Sequence, residues 1–93
     1  MPSTTTIADI ELEIVDRQLT HLTTDEVVLY LTADALKVWK SDLYAINELL
    51  WEEKIDDAEG DRLKNQNVEL IGDYITAVHI WARQTNHRAK EGY

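Results

Sequence analysis

Glu48 and Glu52 stand four residues apart, and so do Glu69 and Asp73. In a helix that spacing brings both carboxylates of a pair to one side. Two such pairs on facing helices could hold Mg²⁺ over a phosphate, because Mg²⁺ takes hard oxygen ligands and offsets the charge that moves in phosphoryl chemistry. The three histidines offer less. His79 and His87 are eight residues apart, which in a helix is about 12 Å, too far for one ion. With no Cys in the chain, a zinc site has too few ligands. His79 is expected at the edge of a core, near Arg83. Ser3 and Ser41 are the only serines, and neither a nucleophile triad nor a glycine-rich phosphate loop is present. The remaining dense stretch is LYAINELLWEEKIDDAEG, Leu43 to Gly60, with six carboxylates around Trp51.

Whether those acids converge depends on the helices that carry them. Three Gly and one Pro, the latter at position 2, leave long helices uninterrupted. Thr6 and Asp9 have capping-box spacing, so a first helix is predicted over about 7–20. Thr23 and Glu26 repeat the pattern and start a second over about 24–31. Val27 to Leu31 also suits a short strand, but the cap favours helix. Thr32 or Asp34 can cap a third, in which Leu36, Trp39, Leu43, Ile46 and Leu50 recur at steps of three and four. Gly60 suits a helix stop and Asp61 a new cap. A fourth helix then carries Leu63, Asn67, Leu70, Tyr74, Ala77 and Trp81, with Ile71, Ile75, Val78 and Ala82 as a neighbouring stripe. The expected fold is all-α: a three- or four-helix bundle around an antiparallel hairpin of about 34–58 and 61–88. A turn at Gly60 would pair Leu50 with Leu70, Ile46 with Tyr74, Leu43 with Ala77 and Trp39 with Trp81. Residues 1–93 are expected to form a single domain with frayed ends at 1–5 and 91–93.

This arrangement bears on the acids. If the Leu36–Leu50 stripe faces the fourth helix, Glu48 and Glu52 lie on the far side of the third. Asp73 then flanks the seam and Glu69 points away from it. A metal site needs converging, supported ligands, so the hairpin favours a solvated acidic face. Asn67 falls on one stripe and Asn47 beside the other, where a polar residue can fix register. Trp51 lies off the stripe. It either covers the first or second helix or stands free as a contact; exposed aromatics are common binding anchors.

Three family resemblances attach to these motifs. ELIGD, residues 69–73, is similar to a string of the small all-α nucleotide pyrophosphohydrolases of the MazG type. That resemblance implies Mg²⁺ held by Glu48, Glu52, Glu69 and Asp73, although the acids here are spaced ExxxE and ExxxD where the family has ExxE and ExxD. LTTDEVVLYL, residues 22–31, resembles the opening of excisionase-type helix-turn-helix proteins. However, residues 22–43 set only Lys37 and Lys40 against four acids, and DNA binding needs bases. Leu43, Ile46, Asn47, Leu50 and Trp51, followed by Thr85, Asn86, Arg88, Ala89 and Lys90, resemble a bacterial and phage family of short helical-hairpin proteins. That likeness implies a hairpin and no activity.

Charge narrows the partners. The net charge is −9, with the excess acid in residues 1–60; residues 61–93 hold four acids and five bases. Such a balance repels nucleic acid and anionic membrane and suits a basic protein surface. The longest apolar run is Val27 to Leu31, too short to span a bilayer. The opening MPSTTTIADIELE lacks the basic and apolar regions of a signal peptide. With no Cys, these features lead us to expect a cytoplasmic home, or a host cytoplasm if phage-encoded. The expected function is that of a small acidic, non-enzymatic inhibitor or adaptor without a cofactor. Its partner contacts would be Trp51, Glu48, Glu52, Asp56, Glu11 and Asp16, and homo-oligomers could form through the second stripe of the last helix. The alternatives are the Mg²⁺-dependent hydrolase and an acidic mimic of nucleic acid.

Overall fold

The computed structural model describes residues 4–91. Among them lie three helices and no strand: α1 (Ile7–Asp16), α2 (Thr24–Trp51) and α3 (Asp57–Glu91). The all-α hairpin architecture is as expected. Its boundaries differ, and each difference has a local cause.

Both predicted capping boxes form. The Thr6 hydroxyl accepts the Asp9 N–H at 3.2 Å while the Asp9 carboxylate accepts the Thr6 N–H at 2.8 Å. Thr23 and Glu26 exchange the same pair of bonds. Each box satisfies donors that the first helical turn leaves open. At the other end, α1 stops at Asp16, before the expected Thr20. Gln18 takes a left-handed conformation, φ 58°, and the Leu19 N–H bonds back to the Ile14 carbonyl at 2.9 Å. This is a Schellman stop without glycine. The left-handed turn costs about 1–2 kcal/mol for a residue with a Cβ. It drops Leu19 into the core beside Ile14.

The second and third predicted helices are one helix. Thr32 caps nothing; its hydroxyl donates back to the Val28 carbonyl at 2.6 Å. Asp34 is mid-helix and bonded to Arg17. No Gly or Pro interrupts residues 24–51, so the helix continues for 28 residues. Val27 to Leu31 are therefore helical, with Val27 and Leu31 buried on one side.

The turn lies before Gly60. Glu53 is left-handed at φ 58°, and the Lys54 N–H closes onto the Leu49 carbonyl at 2.9 Å. Asp56 then caps α3, accepting the Glu59 N–H at 2.8 Å. Gly60 is buried within the first turn of α3. A Cβ there would lie 2.7 Å from Leu50 Cδ2, so the glycine permits close approach of the helices rather than ending one. The earlier turn re-pairs the hairpin. Leu50 meets Gly60, not Leu70. Trp39 receives the Asn67 side-chain N–H on its carbonyl at 3.4 Å, and Trp81 is elsewhere.

The molecule measures 59 × 22 × 17 Å, and its core sits toward one end. Ile10 and Ile14 of α1, Leu19, Val27 and Leu31 of α2, and Ala77, Val78 and Trp81 of α3 form it. Burial of each large aliphatic there contributes about 1.5–3 kcal/mol. Of the second α3 stripe, Val78 lies within this core and Ala82 packs against it. Thr5, expected to fray, donates its N–H to the Asp73 carboxylate. Glu91, also expected to fray, is the last residue of α3, and the expectations for residues 1–3, 92 and 93 lie outside the described residues.

Candidate interaction surface

The six expected contact residues fall into two groups. Trp51, Glu48, Glu52 and Asp56 gather at the hairpin tip, all exposed. Trp51 closes α2 with 81% of its surface open, so it does not cover another helix. Glu52 is ion-paired with Lys54 at 2.9 Å. Glu11 and Asp16 are exposed on α1, and Glu11 lies 3.6 Å from Arg88. Arg17 at the end of α1 reaches Asp34 on α2, which is about 25 Å along the helix from Trp51. The two groups form separate patches.

The four acids of the metal alternative do not converge. Leu50 lies at Gly60 and Trp39 at Asn67. Glu69 and Asp73 are therefore level with α2 near Lys37 and Ala33, roughly 15–30 Å from the height of Glu48 and Glu52. Asp73 binds the Thr5 N–H, and no three acids or histidines are grouped to hold a metal among the described residues. The expected similar heights followed from the turn at Gly60 and go with it. His79, expected at the core edge, is exposed.

A groove along the α2–α3 seam was not anticipated. It consists of two adjoining hollows of about 290 and 300 Å³ that share Asp42, Asn67 and Leu70. Ala35, Val38, Trp39, Ala45, Ile46, Leu63, Ile71 and Tyr74 supply its apolar wall, and Glu13, Arg17 and Asp34 close its upper end. Arg17 sits between acids, 3.3 Å from Glu13 and 2.5 Å from Asp34. Its hydrogen bond to Asp34 raises its already high pKa, so it stays charged. The Tyr74 hydroxyl donates to Glu13 at 2.8 Å. Burial, then that bond, pushes the phenol well above its usual range. The Trp39 indole N–H is buried with no acceptor, although the ring lines the groove.

One sequence signal could have revealed this wall. Ala35, Val38, Asp42, Ala45 and Leu49 repeat the three-and-four steps of the main stripe, displaced by one residue. Small side chains at Ala35 and Ala45 hide that repeat from a search for large apolar residues. No helix among the described residues is long and apolar enough to cross a membrane. No family model, no curated protein and no solved structure matches the chain.

Proposed function

We propose that the chain is a non-enzymatic interaction protein, an inhibitor or adaptor, that engages a protein partner with a basic surface. Trp51 at the hairpin tip is the observation that carries this reading. Its side chain is exposed among Glu48, Glu52, Glu53 and Asp56, so it contributes little to the monomer's own packing. Buried on a partner, an indole is a strong anchor, and the surrounding carboxylates speed encounter with a basic surface. The test starts with affinity capture from the source cell, with the partner identified by mass. Binding of that partner is then measured for the unaltered chain, Trp51→Ala and Trp51→Phe. Trp51→Ala should keep the unfolding midpoint and weaken binding at least tenfold, with Trp51→Phe in between. Raised salt should slow association. Unchanged affinity of Trp51→Ala would remove the tip from the interface.

A further inference from the structure

We infer that the open groove between α2 and α3 is a docking site for an amphipathic helix carrying Lys or Arg along its flanks. The inference rests on the interaction-protein reading and supplies a second contact, with its partner's chemistry. A helix seats where an apolar floor is flanked by walls and small residues allow close approach. Here Trp39, Ile46 and Leu63 line the groove, and Ala35 and Ala45 leave room on the α2 side. The groove runs from the level of Asp34 to that of Ile46, about 18 Å, or roughly three helical turns. Its charge selects the occupant. Glu13, Asp34 and Asp42 line it, and the one base among its described lining residues is Arg17. Arg17 is already engaged by Glu13 and Asp34, which leaves a net negative wall. A second copy is a poor occupant. A two-fold pairing on this face would set Asp34 and Asp42 against the same acids, between chains that each carry −9.

The three indole N–H signals of Trp39, Trp51 and Trp81 report on the groove, the tip and the core, once assigned with Trp39→Phe and Trp51→Phe. The probe is a synthetic peptide of about 14 residues, four helical turns, with Leu at steps of three and four and Lys elsewhere. Controls are the same peptide with Glu for Lys and a scrambled Lys peptide of equal composition. The Lys peptide should move the Trp39 signal and leave Trp81 in place. The Glu peptide should leave Trp39 unmoved, and the scrambled peptide should bind at least tenfold more weakly. Asp42→Lys should weaken the Lys peptide at least fivefold. A shift confined to Trp51 overturns the groove inference while leaving the tip reading intact. Equal binding of the scrambled peptide also overturns it, because general charge attraction would then suffice. So does movement of Trp39 on concentrating the protein alone, together with dimers in sedimentation, which would make a second copy the occupant.

Discussion

The two halves of the hairpin are built from the same helices and end up unlike. In the half nearer the chain termini, α1 lies over the pair and closes a three-helix core around Ile10, Leu31 and Val78. In the half toward the tip only α2 and α3 remain, and Ile46 and Gly60 are the buried residues there. Val38, Tyr44, Trp51 and Val68 are more than half exposed in that half. Two helices alone cannot enclose an apolar seam, because each has one face turned to its neighbour and the rest turned to water. Stability is concentrated where the third helix sits, and open surface where it does not. The tip and the groove proposed above lie in the thinner half or at its edge.

The sharpest way to break this contrast is truncation of one leucine in each half. Leu31 is fully buried, and Leu31→Ala should cost about 3–4 kcal/mol in urea unfolding. Leu43 is half-buried, and Leu43→Ala should cost about 1–1.5 kcal/mol, because water already reaches the site. Equal costs would mean that the tip half is as enclosed as the other. Gly60 tests the tip half's tightest contact. A Cβ there comes within 2.7 Å and 2.9 Å of the two Leu50 methyls. Gly60→Val should therefore destabilise by about 1–3 kcal/mol through overpacking.

These positions also show how much of the fold was legible. Thr6 with Asp9 and Thr23 with Glu26 started helices where expected, because a capping box is satisfied within four residues. Gly60, Thr32 and Asp34 suit helix boundaries by residue type and do not form them. Each residue type has two uses, and a contact made in the folded chain decides between them: Leu50 against Gly60, the Val28 carbonyl one turn back for Thr32, Arg17 for Asp34. Gln18 and Glu53 end helices in a conformation that usually signals glycine, so their sequence does not announce the stop. The position of the turn also governs the site. Moving the reversal from Gly60 to Glu53 re-pairs every residue across the hairpin, and the groove is visible only in the true register. Trp51 could be singled out because it lies off the stripe, but its exposure depended on where α1 lands.

Smaller effects sharpen the comparison. Gln18 and Glu53 adopt the same left-handed φ, 58°, one beside the core and one at the tip. Gln18→Gly and Glu53→Gly should each raise stability by about 0.5–1 kcal/mol, read as a shift of the urea midpoint. A gain at Gln18 with none at Glu53 would show the tip unfolding separately from the core. On the alkaline side the pH dependence is set by Tyr74, at the border of the two halves. Its pKa is raised in the fold by burial and by Glu13, so the folded chain favours the protonated phenol. That contribution is full below the unfolded tyrosine pKa, about 10, and is lost as pH rises from there toward the folded value. Stability should fall above about pH 10, and Tyr74→Phe should flatten that fall.

Native-state hydrogen exchange along α2 compares the halves most directly, since one helix runs through both. The account predicts that amides near Val28 to Leu31 exchange only through global unfolding, while those near Ala45 to Leu49 open at a free energy lower by about 1–3 kcal/mol. Uniform protection from Val28 to Leu49 in the monomer would contradict it.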